Sequence, residues 1–259
     1  MNAVDIKELS FSYKDVEVFN GLNLSIDKNS FTTILGRAST GKSTLFKILS
    51  GELKYSGKVS ILNKSIFYNL EKNYLGLVST SIYNFKEKTA RKELVRILEL
   101  EERISLSRIE MEINKVSKKL GIKNILDYDV RTLSVKEKIL LMFAIQIINR
   151  PKVLILDNVL SYLDDEKDII IKELLRLNRK NVTIINITND TEECMFGSNV
   201  VVLDNIIRTF KIAQMTEEDF LDNGLNVPFM VSLSSKLNFY GLIEKKYLKM
   251  EKLVDDLWQ

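Results

Sequence analysis

Apolar and polar positions alternate at the start of the chain. Val4-Asp5-Ile6-Lys7-Glu8-Leu9 and Leu22-Asn23-Leu24-Ser25-Ile26 keep a period of two, which predicts strands with one buried face. Between them, Phe11-Ser12-Tyr13 and Val16 to Phe19 predict a hairpin ending at Asn20-Gly21. Phe31 to Leu35 is a strand-sized apolar run, and Leu45 to Leu49 is amphipathic. Lys58 to Leu62 and Leu75-Gly76-Leu77-Val78 add two short strands. From about Phe85 to Leu126 the pattern turns helical and strongly charged, with Leu94, Ile97, Leu98 and Ile104 at helical spacing and Gly121 as the stop of one of the helices. Ser134 to Asn149 predicts another helix, ended by Pro151. Val153-Leu154-Ile155-Leu156 is wholly apolar, as expected of a central parallel strand covered on both faces. A helix from Asp164 to Leu177, a strand from Val182 to Ile187 and a short helix near Glu192 follow. Strands Val200 to Leu203 and Ile206 to Phe210 flank a two-residue turn, Asp204-Asn205, and the rest to Gln259 reads as helical. The order is an antiparallel β region, an α/β core, an inserted helical block and a return to the core.

The stretch between the third strand and the first helix carries the chemistry. Gly36-Arg37-Ala38-Ser39-Thr40-Gly41-Lys42-Ser43-Thr44 satisfies G-x-x-x-x-G-K-[S/T] at every fixed position, in the strand–loop–helix context that a phosphate-binding loop requires. Two glycines let the backbone turn its N–H groups inward onto a polyphosphate. Lys42 offers a positive charge, Ser43 a hydroxyl for Mg²⁺, and the helix start its positive end. The motif predicts a nucleoside triphosphate ligand held with Mg²⁺.

Composition narrows the setting. The chain has 259 residues, 45% hydrophobic and 28% charged, which is the make-up of a globular protein. A net charge of +3 gives no argument for a nucleic-acid partner, and none is expected. Cys194, the one cysteine, excludes an internal disulfide and reads as a small buried apolar side chain. Met1 to Ser10 lacks the apolar core of a signal peptide, and no run reaches the roughly 20 apolar residues of a membrane span. Any membrane role is therefore expected to come through a partner.

The ordered set of motifs resembles the ATP-binding cassette ATPases, the nucleotide-binding subunits of ABC transporters, over roughly Asp5 to Phe210. The resemblance implies a P-loop NTPase cassette at 1–212 with a helical subdomain at about 85–150. It leaves 213–259 as a C-terminal helical extension with a role in dimerisation. Tyr13 stands where the family stacks an aromatic on adenine; by its residues alone it is equally a strand-edge tyrosine. Asp157 takes the place of the Mg²⁺-holding aspartate, opposite Ser43. Next to it the family carries a glutamate that polarises the attacking water; here it is Asn158, whose amide cannot take a proton at neutral pH. Thr80 replaces the glutamine that senses the membrane partner, and Asn189, in Thr188-Asn189-Asp190, replaces a histidine. Leu133-Ser134-Val135-Lys136-Glu137 occupies the signature loop, usually LSGGQ, which reaches the partner's nucleotide. Ser134 and Glu137 are also spaced as a capping box, so a purely structural reading stays open. Ser161-Tyr162-Leu163-Asp164 resembles the D-loop of the dimer seam, with Asp164 also readable as a helix cap.

Nucleotide-holding positions are thus intact while Thr80, Val135, Lys136, Glu137, Asn158 and Asn189 depart from the family. That pattern implies ATP binding with slow hydrolysis, and a heterodimer with a more complete cassette, since a homodimer would combine both sets of defects in each site. Gly224-Leu225-Asn226-Val227-Pro228-Phe229 with Leu233 and Leu237 on one helix face resembles the tail of energy-coupling factor ATPases. These pair beneath an integral membrane component and import vitamins or metal ions, which implies a cytoplasmic subunit on the inner face of the membrane. A regulatory cassette whose nucleotide sets assembly, and a soluble non-transport cassette, remain as alternatives.

Overall fold

The computed structural model describes residues 1–81, 85–100, 105–204 and 207–258. In chain order the strands are β1 (Asn2–Tyr13), β2 (Val16–Asp27), β3 (Phe31–Leu35), β4 (Ser56–Ile61), β5 (Leu75–Ser79), β6 (Val153–Asp157), β7 (Thr183–Ile187), β8 (Asn199–Val202) and β9 (Arg208–Lys211). The α-helices are α1 (Lys42–Leu49), α2 (Ile66–Glu71), α3 (Ala90–Glu99), α4 (Leu106–Lys119), α5 (Val135–Asn149), α6 (Lys167–Arg179), α7 (Glu217–Asp222), α8 (Phe229–Phe239) and α9 (Met250–Leu257). The described residues fall into two compact units. One holds 1–4, 27–29 and 60–184; the other holds 5–26, 30–59 and 185–259.

In the first unit β5 and β6 run parallel with Ser79 facing Asp157 in register. Leu154, Ile155 and Leu156 are fully buried, as their unbroken apolar run predicts. The helical block packs on them through α5, whose residues from Ile139 to Ile145 are buried without interruption. Helix α4 ends at Lys119, and Gly121 follows in the left-handed conformation (φ 69°) that lets the chain turn away.

Strands β2, β1 and β4 form a three-stranded sheet in that order, with most of their residues in the second unit. There β3 pairs in parallel with β8, which pairs antiparallel with β9. Every residue of β3 is buried. The C-terminal extension packs here too: Phe220, Leu225 and Val231 share one core with Leu35, Val200 and Val202.

Several sequence expectations are corrected. Asn20-Gly21 does not close a hairpin. It lies inside β2, where the Gly21 N–H donates to Ser10 Oγ (3.0 Å), and the turn is Lys14-Asp15. The long strand wins because cross-strand pairing of a full ladder outweighs a local turn signal. The helix expected from Asp164 starts at Lys167, with Glu166 as its cap. Helix α2, capped by Ser65, was not anticipated, since six residues are too few to show a period. The block from 85 to 126 is helical as expected, with α3, α4 and a short 3-10 turn at Lys123–Ile125, while Ile104 lies outside the described residues. The extension, expected to be helical after Met215, holds three helices, and residues 240–249 are non-helical. On α8, Leu233 and Leu237 pack inward beside Met230, but Phe229 is 58% exposed. Asn205, expected in the last turn, and Ile206, expected to start the last strand, lie outside the described residues, as does Gln259.

Candidate nucleotide site

Each unit carries its own group of site residues. In the second unit β3 feeds the loop Gly36–Thr44, and α1 leaves it with Gly41 as cap. Gly36 needs its missing side chain: a Cβ there would stand 2.5 Å from the Leu203 carbonyl oxygen and 2.6 Å from Thr40 Oγ1. Gly41 has φ 91°, and a Cβ would meet the Phe19 ring at 2.8 Å. The Lys42 ammonium donates to the carbonyls of Gly36 and Arg37, each at 2.6 Å, so it crosses the mouth of its own loop. Thr40 Oγ1 donates to the Arg37 carbonyl at 3.0 Å. Ser39 adopts φ 64° and, with Thr40, lines a cavity of about 640 Å³ whose other wall is 16–23 of β2 with Asp204 and Ile207. Ser43 is exposed, whereas Thr44 is buried. Ala38 is flanked by exposed loop, and the Arg37 guanidinium is held by Asp204 at 3.1 Å.

These features suit a magnesium polyphosphate. The loop is collapsed to backbone where phosphate oxygens must approach, its lysine is already positioned across it, and α1 starts there with no acidic residue in its first turn. Tyr13 ends β1 43% exposed, with its ring edge-on to Phe11 at 4.8 Å. It does not line the cavity beside Ser39 and Thr40. Thr188 follows β7, its N–H donating to the Ile34 carbonyl at 3.1 Å, so Asn189 emerges exposed beside the strand that feeds the loop. The turn is braced locally: Asp190 N–H donates to Thr188 Oγ1 (3.1 Å), and Asn186 Nδ2 to Glu193 Oε2 (2.8 Å) in the core.

In the first unit Asp157 closes β6. Ser79 Oγ donates to Asp157 Oδ2 at 3.3 Å and is itself 2.9 Å from Ser81 Oγ. Ser79 is a neighbour of Asp157 that the sequence did not reveal, because the contact depends on the β5–β6 register. Thr80, half-buried, is the next residue out of β5. Asn158 takes a left-handed φ of 49°, a conformation asparagine tolerates better than glutamate does. Its carbonyl accepts from Ser161 Oγ at 3.1 Å, which fixes the turn.

The capping box at the signature position is present. Ser134 Oγ accepts from the Glu137 N–H (3.3 Å), and the Ser134 N–H donates to Glu137 Oε2 (2.8 Å). Val135 projects 44% exposed. Lys136 does not extend freely into solvent: its ammonium lies 3.1 Å from Glu166 Oε1 and 4.0 Å from Asp164 Oδ2. The hydrogen bond to Glu166, then its charge, raises the Lys136 pKa above the ordinary lysine value. The pairing of Glu166 with Lys136, 30 residues away, was not legible in the sequence.

Known proteins resemble this chain in family and in fold. The family described as ABC transporter matches residues 19–161. The chain is 30% identical over 267 residues to the energy-coupling factor transporter ATP-binding protein EcfA of Malacoplasma penetrans, covering 98% of this chain and 93% of that one. It is equally 30% identical over 274 residues to EcfA of Onion yellows phytoplasma, covering 99% and 98%. Among solved structures, cbiO1 of Clostridium perfringens, part of the ABC transporter complex cbiONQ, superposes with a TM-score of 0.68 at 24% identity, covering 92% of this chain and 95% of that one. A cassette dimer in a post-hydrolysis state bound to ADP and Pi gives a TM-score of 0.71 at 20% identity, covering 82% and 100%. These two likenesses establish the cassette fold.

Proposed function

This chain belongs to the ABC transporter family as an ATP-binding component of the energy-coupling factor type, and from that premise we propose that it binds Mg-ATP to drive or gate uptake while hydrolysing it slowly by itself. The observation that carries the reading is the Gly36–Thr44 loop, closed to any side chain at Gly36 and spanned by Lys42. Its backbone N–H groups and Lys42 would hold the phosphates, Ser43 and Asp157 the metal ion, and Tyr13 the base. When bound, Mg-ATP supplies the free energy that closes two cassettes on one another. Ser79 keeps the Asp157 carboxylate oriented through its hydrogen bond.

The Asn158 amide can orient a water but has no lone pair basic enough to take its proton. General-base assistance is typically worth about 10²–10⁴ in rate, so a loss of that order is expected at this site. Asn189 and Thr80 likewise lack the charge and reach of the usual groups. The partner set is a second, more complete cassette and an integral membrane component, placing the chain against the cytoplasmic face of the membrane. The extension at 213–259 is assigned to contact between cassettes. The cargo class is a vitamin or metal ion, chosen by other subunits. A second reading, in which the nucleotide controls assembly without turnover, is favoured by the ion pair that occupies Lys136.

Calorimetry with Mg-ATP tests the central claim. Saturable binding is expected, and Lys42→Ala should weaken it by at least about tenfold, since a charged contact to phosphate is worth roughly 1.5–3 kcal/mol. Heat that is absent, or unchanged by Lys42→Ala, rejects the reading. Turnover that stays nil even with the full transporter leaves only assembly control.

A further inference from the structure

The first unit contains a cavity of about 790 Å³ that none of the nucleotide-site residues lines. Its floor is apolar, with Ile148, Leu177 and Val182 buried. Its walls carry seven cationic side chains against one carboxylate, Glu112, in a chain whose net charge is only +3. Lys119 and Arg176 are already answered by the buried carboxylate of Glu173. The other five, Arg108, Lys115, Arg150, Lys152 and Lys180, are exposed at the rim, with no salt bridge to any of them among the described residues.

Helix ends explain part of this cluster. Helix C-termini attract cations, and Arg150 and Lys180 cap α5 and α6. Capping does not explain the rest. Arg108 sits in the first turn of α4, where the helix end is positive and a cation is unfavourable. Lys115 lies within α4, and Lys152 precedes β6, 3.6 Å from the Tyr74 ring centroid. Like charges gathered round one concavity repel each other, and a bound anion relieves that repulsion. The volume falls within the roughly 300–1,000 Å³ of small-molecule sites.

We propose that this cavity binds an organic anion bearing two or more phosphoryl groups, with the phosphates at the cationic rim and an apolar or aromatic body on the floor. Arginine forks grip phosphate oxygens in pairs, and lysines add point charges. A soluble phosphorylated metabolite and the headgroup of an anionic lipid share this chemistry.

Tripolyphosphate is the first probe, titrated by calorimetry into the full chain carrying Lys42→Ala, which removes the main phosphate contact of the nucleotide loop. The same titration is run with Arg150→Glu, Lys152→Glu and Lys180→Glu added. Because the two proteins share one nucleotide loop, their difference reports the cavity alone, whatever the fate of the ATP-binding reading. Saturable binding that falls at least about tenfold in the charge-reversed protein is expected, from the worth of charged hydrogen bonds. If charge reversal unfolds the chain, as seen in its melting curve, Lys115→Ala with Lys180→Ala replaces it, and weakened binding is again expected. Binding that is absent, or equal in the paired proteins, overturns the proposal. Phosphatidylcholine vesicles with and without cardiolipin identify the source. Sedimentation that needs both cardiolipin and the cations supports the lipid headgroup, and tripolyphosphate binding without it supports a soluble ligand.

Discussion

Asn158 concentrates the chemistry of this chain at one backbone position. It follows Asp157, the aspartate proposed to hold the metal ion, takes φ 49°, and its carbonyl accepts from Ser161 Oγ. Asn158→Glu is expected to raise ATP turnover in the assembled transporter at least about tenfold, from the low end of what a general base supplies, offset by about 1 kcal/mol of left-handed strain. Phosphate release with and without the substitution checks this; unchanged release would mean that another group limits the rate. Cys194 shows the opposite case, a residue with potential chemistry and none expressed. Burial, and then the Glu192 charge, push its thiol up to about 12, and it packs among Leu35, Val200 and Phe220. It should resist alkylation at pH 8 in the folded protein and react fully in denaturant, read by intact mass.

Among the elements, α4 and α6 are joined by one buried carboxylate. Glu173 accepts from Arg176 Nε at 2.8 Å and pairs with Lys119. Burial raises its pKa, but the bonds to Lys119 and Arg176 more than offset that, and the net direction is down. A depressed carboxyl pKa stabilises the fold above the ordinary glutamate value and loses that contribution as pH falls through the folded value. Glu173→Gln should therefore cost about 2 kcal/mol at neutral pH, and progressively less below about pH 4. Urea unfolding of both proteins at pH 7 and pH 3 measures this, and a gap that does not shrink refutes it. The capping box at α5 teaches a related lesson. Ser134 and Glu137 read as a helix start and form one, so two side chains at the place of the family's signature loop have a structural role in this chain.

For the whole molecule, the distribution of defects predicts dependence on a partner. Purified alone, the chain should bind Mg-ATP and release phosphate slowly. Mixed with a second cassette that carries an intact signature loop and glutamate, and with the membrane component, turnover should rise at least about a hundredfold, the lower range of general-base assistance. Brisk turnover by the isolated chain would reject the heterodimer.

The sequence by itself determined the nucleotide loop, the buried strand ending at Asp157, the α5 cap and the helical block. Each is written in consecutive residues or at a fixed spacing, and local geometry follows directly from such patterns. It misplaced the hairpin turn because the Asn-Gly pair competes with a ladder that only long-range pairing stabilises. It could not show that Ser79 faces Asp157, that Glu166 takes up Lys136, or that cations from α4, α5, α6 and the approach to β6 share one cavity. Those contacts join residues distant along the chain, and only strand register and helix packing bring them within a few ångströms.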